Sequence, residues 1–147
     1  MKIFIDGDGC PVVHEAVALA KKHSIPCTIL CDTAHVIKND YADTVIVSKG
    51  ADSVDFALVG LISAGDIAVT QDYGLASMCL AKNARAISQN GLVFTNENID
   101  SLLYTRYLTK KIKNSGGRVK GPSKRTKEQD NNFCRAFERL ILDLLGA

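Results

Sequence analysis

The opening stretch Lys2-Ile-Phe-Ile-Asp6-Gly-Asp8-Gly-Cys10-Pro11 places two carboxylates one glycine apart at the end of an apolar run. If the backbone stays extended there, alternate side chains share a side, and Asp6 and Asp8 point the same way. Two carboxylates about 4 Å apart repel by roughly 4 kcal/mol at an effective dielectric near 20. Such a pair either keeps a proton or holds a cation between its members. Oxygen-only ligands suit Mg²⁺ or Mn²⁺ better than softer metals. Asp and Gly are also common turn formers, so a plain turn competes with a metal site for these residues.

Further acids recur at expected element ends. Asp52 and Asp55 are three apart at a helix start and share a side, with Asp55 at the flank of the apolar stripe and Asp52 further round. The same spacing is a capping arrangement that complements the helix dipole. Asp72 follows an apolar strand directly, in Val69-Thr70-Gln71-Asp72, whereas Asp66 precedes that strand and belongs at the other end of the sheet. The five cysteines are odd in number and lack zinc-ligand spacing. Cys27 and Cys31 read as small core residues, and Cys10, at a helix start, is placed where a thiol pKa can fall.

Charge is divided unevenly along the chain. Residues 1–100 carry 7 Lys/Arg against 12 Asp/Glu, and residues 101–147 carry 11 against 4. From Arg106 to Lys127 there are nine basic residues and no acidic one. An acidic front with a basic tail suits a metal site serving a polyanion. No apolar run approaches the ~20 residues of a membrane span. The chain enters a strand at once, with no signal-like segment, so a cytoplasmic location without membrane attachment is expected.

The elements that must position the acids follow from periodicity. Ile3–Ile5, Cys27–Cys31, Thr44–Ser48 and Asp66–Thr70 read as strands, with shorter strand-like pieces at Arg85–Ser88 and Leu92–Thr95. Between them, helical spacing is carried by Val13, Ala16, Val17 and Ala20, then by Val54, Ala57, Leu58, Leu61 and Ile62. Next come Leu75, Met78 and Cys79, and then Ile99, Leu102 and Leu103, with Arg106 on the same stripe. Thr126 and Gln129 fit a capping box, opening an amphipathic helix over about 127–145 with Phe133, Phe137, Leu140, Ile141 and Leu144 inward. A basic, glycine-rich loop occupies about 114–125. The alternation predicts a single α/β domain over 1–147. Its doubly wound, mainly parallel sheet is of Rossmann-like three-layer type, with the last helix packed back on it.

The motifs Asp6-Gly-Asp8-Gly-Cys10-Pro11, Gly50-Ala-Asp52-Ser-Val-Asp55 and Gly65-Asp66-Ile-Ala-Val-Thr70-Gln-Asp72-Tyr-Gly-Leu75-Ala76 together resemble the YaiI/YqxD family of small bacterial proteins. Gly116-Gly117, Gly121-Pro122, Asp130 and Phe133 extend the resemblance over nearly the whole chain. Two departures stand out: the family usually reads Asp-Ala-Asp-Ala-Cys-Pro at the start, and Asn131 occupies a place that is commonly Arg. The family looks like a branch of the PIN-like nucleases. That resemblance implies RNA cleavage by a Mg²⁺ or Mn²⁺ centre on Asp6, Asp55 and Asp72, with Asp8 as the fourth acid and Asp52 as the alternative. It also implies that the fourth strand lies beside the first. Arg106, Arg118, Lys120, Lys124 and Arg125 would then hold phosphates of RNA or another single-stranded nucleic acid. Two alternatives stay open. One is a nucleic-acid-binding protein without turnover. The other is a haloacid-dehalogenase-like phosphatase using Asp6 as nucleophile and Asp8 as general acid, although Asp66 lies on the wrong side of its strand for that family's late motif.

Overall fold

The computed structural model describes residues 1–50, 52–118 and 124–146. In chain order its elements are β1 (Ile3–Asp6), α1 (Val13–Lys22), β2 (Cys27–Asp32), β3 (Asp43–Val47), α2 (Ser53–Leu61), β4 (Ile67–Val69), α3 (Tyr73–Ala81), β5 (Arg85–Ile87), α4 (Asn96–Asn114) and α5 (Lys127–Leu145). The strands form one open, all-parallel sheet in the order β3-β2-β1-β4-β5. The chain winds outward from β1 through β2 and β3, then crosses to the other side of β1 for β4 and β5. This is a doubly wound α/β fold, and its strand order reverses between β1 and β4, where such sheets open a crevice at their carboxyl ends.

Alternation along the strands builds both layers. Ile3 and Ile5 face the side that also takes Cys27, Ile29, Ile67, Val69 and Ile87, and α1 and α5 cover it. Phe4, Leu30, Ala68 and Ala86 face the opposite side, under α2, α3 and the start of α4. Each large apolar side chain fully buried this way contributes about 1.5–3 kcal/mol. On α5, Phe133, Phe137, Leu140 and Ile141 are buried, with the two phenyl rings stacked at 5.1 Å. The capping box at Thr126 and Gln129 forms as expected. No helix among the described residues is long and apolar enough to cross a membrane.

Several local expectations shift. Leu92–Thr95 is not a strand: only Val93 bridges to Ile87. Thr95 instead caps α4 through a reciprocal pair with Asn98, so that helix begins at Asn96 and continues to Asn114, the first residue of the expected loop. Met78 was expected to face inward but is 38% exposed, because Leu75, Ala76 and Cys79 alone complete the buried face of α3. Leu61, at the end of α2, is also largely exposed.

Candidate functional site

Asp6 is the last residue of the central strand, paired in register with Leu30. The chain then peels away: Gly7 N–H still donates to the Leu30 carbonyl at 2.8 Å, and Cys10 N–H turns back to the Gly7 carbonyl at 3.4 Å. A Cβ at position 7 would lie 2.7 Å from that Leu30 oxygen. Asp8 therefore does not continue an extended strand beside Asp6. It leans towards the end of β2, where Asp32 N–H approaches its Oδ1 at 3.5 Å.

Thr70, buried just past β4, joins two of the acids. Its hydroxyl donates to Asp6 Oδ2 at 2.8 Å and accepts from Asp72 N–H at 3.0 Å. Asp72 is the N-cap of α3, accepting Leu75 N–H on Oδ1 at 3.1 Å. The β1–β4 pairing, Ile5 against Val69, is what brings these residues to one rim. From the other direction α2 offers its first turn. Asp52 holds a left-handed conformation (φ 61°) and makes no side-chain cap bond, so capping does not account for its carboxylate. Asp55 follows one turn along.

These acids share one open cavity of about 440 Å³, lined by Asp6, Asp8, Asp52, Asp55 and Asp72, with Arg106 of α4 as the cation facing them among the described residues. The crowding is felt in their acidity. Burial pushes the Asp6 carboxyl up to about 6 against the opposing Thr70 hydrogen bond, and the charges of Asp8 and Asp72 add to the rise. Burial, then the neighbouring charges of Asp72 and Asp6, push Asp55 up to about 7. Carboxylates that resist losing protons when brought together form a donor set suited to a divalent, oxygen-preferring cation, which reverses the repulsion. Asp66 lies at the opposite sheet end, accepting Lys2 N–H and Ser63 N–H at 2.9 Å each.

The basic residues fare differently. Arg106 lines the cavity. Arg118 and Lys124 are exposed and outside its lining. Lys120 lies outside the described residues. Arg125, expected to hold phosphate, is committed within the protein. Its guanidinium bonds Asp130 Oδ1, Asn90 Oδ1 and the Gln89 carbonyl at 2.6 Å each, tying the start of α5 to the 88–91 turn. Cys10 also departs from expectation, because burial raises its thiol pKa to about 11. All five cysteines are free.

The family described as "Uncharacterized BCR, YaiI/YqxD family" matches residues 4–143. The chain belongs to it. Similar relatives are UPF0178 proteins. That of Exiguobacterium sibiricum is 50% identical over 143 residues, covering 97% of this chain and 98% of the relative. That of Clostridium acetobutylicum is 48% identical over 144 residues, covering 97% of each, and one from Clostridium kluyveri is 42% identical, covering 97% and 94%. No solved structure matches the chain.

One grouping in this YaiI/YqxD member was missed from the sequence. Ligand atoms of Asp8, Asp32 and His35 all lie within 4.8 Å of one another. His35 Nδ1 is 3.0 Å from Asp32 Oδ1, which also accepts Ala34 N–H at 2.8 Å. The signal was present: Asp6 pairs with Leu30, so Asp32 stands level with Asp8 once the two strands are neighbours. Asp32 follows the expected Cys27–Cys31 strand and His35 comes three residues later, with nothing local in sequence to join either to Asp8.

Proposed function

We propose that this protein is a divalent-metal-dependent hydrolase that cleaves phosphodiester bonds in RNA or another single-stranded nucleic acid. The observation that carries the reading is the convergence of Asp6, Asp55 and Asp72, from β1, α2 and the β4–α3 turn, on one open cavity in which burial and neighbouring charge raise the carboxyls of Asp6 and Asp55. The resemblance of the sequence motifs to PIN-like nucleases, which singled out these three acids, points to the same reading.

Mg²⁺ or Mn²⁺ held there supplies charge neutralisation for a phosphate and a bound water of lowered pKa. Asp6, Asp55 and Asp72 would hold it, with Asp8 or Asp52 completing the set. The protein's own groups prepare that task. Thr70 anchors Asp6 through Oδ2, and the α3 cap anchors Asp72 through Oδ1. Arg106, on the rim, neutralises an incoming phosphate without reading its base.

The test is cleavage of end-labelled single-stranded RNA with Mn²⁺ or Mg²⁺ and with EDTA. Metal-dependent products are expected from the wild type, with losses of at least about 100-fold in Asp6→Asn and Asp72→Asn at unchanged circular dichroism. Arg106→Gln is expected to raise KM more than it lowers kcat. RNA binding without any metal-dependent product, or full activity in Asp72→Asn, sinks the hydrolytic reading.

A further inference from the structure

A second groove lies along the β5 edge of the sheet, outside the carboxylate cavity, and at about 660 Å³ it is the larger of the two. Its walls carry three guanidinium groups: Arg85 from the first residue of β5, and Arg135 and Arg139 from one face of α5. Among the described residues no carboxylate comes within 4.0 Å of any of the three, whereas Arg125 nearby is fully engaged. Asp143, one turn beyond Arg139, is the acid on the lining. Unpaired like charges facing one concavity raise its positive potential and favour an anion there.

The groove is built into the fold. Gly91 (φ 89°) brings the 88–91 turn against α5 so closely that a Cβ would lie 2.8 Å from the Asn132 carbonyl and 3.1 Å from Ala136 Cβ. Asn132 Oδ1 accepts from Arg135 Nη2, which orients that fork. The same turn links the groove to the acids, since Gln89 lines a narrow crevice with Asp6 and Asp8 while Gly91 lines the groove. Arg135 and Arg139 follow along α5, and Arg85, whose N–H donates to the Asp66 carbonyl, lies towards the other end of the sheet. A chain of phosphates leaving the carboxylates therefore passes this turn and runs down the β5 edge to meet the arginines.

We propose that the Arg85–Arg135–Arg139 groove binds successive phosphates of a single-stranded phosphodiester chain whose other end occupies the carboxylate cavity. Planar guanidinium forks match phosphate oxygens bidentately, and no base-reading group is required. The inference rests on the hydrolytic reading for the direction of the chain, but not for the groove's charge.

The test is fluorescence anisotropy of labelled 12-nucleotide RNA and DNA of one sequence, in EDTA, over a salt series, with Asp6→Asn protein and the same protein carrying R85Q, R135Q and R139Q. About 0.7 of log–log salt slope per phosphate contact on a single strand predicts a fall of about 2 in slope magnitude, with at least tenfold weaker binding at low salt. Arg139→Glu alone is expected to weaken binding more than Arg139→Gln. Preference for RNA or DNA tells which chain is the natural one. Unchanged affinity and slope in the folded triple variant overturn the groove, whether or not the wild type cleaves. Slope loss in a protein that never cleaves keeps the groove and discards the hydrolytic reading. Equal loss in a Lys110→Gln/Lys111→Gln/Lys113→Gln control marks a diffuse charge effect and overturns it too.

Discussion

At the scale of single residues, Thr70 and Gly7 govern how the acids are presented. Thr70 is buried and its one hydroxyl serves both Asp6 and the Asp72 backbone. Thr70→Val keeps the volume but strands an N–H and a carboxyl oxygen, and is expected to cost about 1–3 kcal/mol in urea unfolding. It should also raise the Asp6 pKa further, because the hydrogen bond from Thr70 is what lowers it. A stability loss within error of zero contradicts the bond. At position 7 the space for a methyl is taken by the Leu30 carbonyl. Gly7→Ala is therefore expected to be destabilising by about 1–3 kcal/mol, with strand β2 displaced. The types of these residues were legible in the sequence, whereas their partners were not. The residue types of Asp6-Gly-Asp8 allow a turn, but nothing in them discloses that it sends Asp8 towards Asp32 and His35.

Among the elements, the most legible were those whose local signals agree with their tertiary environment. The Thr126–Gln129 capping box and the 133, 137, 140, 141 stripe both appear as read, because α5 packs its apolar face directly on the sheet. Edges were less legible. Leu92–Thr95 has the composition of a strand, yet Thr95 and Asn98 form a helix cap, and a local cap outcompetes pairing on an exposed sheet edge. Likewise the sequence places Arg125 among the cations expected to hold phosphate. Its role depends on Gln89 and Asn90, which are 35 or 36 residues away in sequence. That difference is measurable. Arg125→Gln is expected to lower stability by about 1–2 kcal/mol, since three hydrogen bonds to a half-buried charge are lost. It is expected to leave the salt dependence of nucleic-acid binding nearly unchanged. The reverse pattern, normal melting with a shallower salt slope, restores Arg125 to the phosphate-binding set.

For the whole molecule, the arrangement of acids makes stability depend on pH with a definite sign. The strand order that unites Asp6, Asp55 and Asp72 is a global property, invisible to local periodicity and supplied in the sequence only by family resemblance. Its energetic trace is that Asp6 and Asp55 hold protons up to about 6 and about 7, against an ordinary value of 3.8. Between about pH 4 and 7 the native state binds more protons than the unfolded chain, so stability falls as pH rises. The contribution is fully present below about pH 4 and lost as pH passes through 6 to 7. Asp32 and Glu138 are shifted the other way. Their contribution is therefore lost only as pH falls below the ordinary carboxylate range, outside this window. In EDTA the urea midpoint is thus expected to decline from pH 5 to pH 8, and to do so much less in Asp6→Asn/Asp55→Asn. Saturating Mn²⁺ should flatten the decline in the wild type alone, because a cation bound to the native acids displaces their protons and adds its own binding energy at the higher pH. A metal-free midpoint that stays level from pH 5 to pH 8 is incompatible with carboxyl groups crowded at this rim. A decline that Mn²⁺ leaves untouched places the crowding there without the cation.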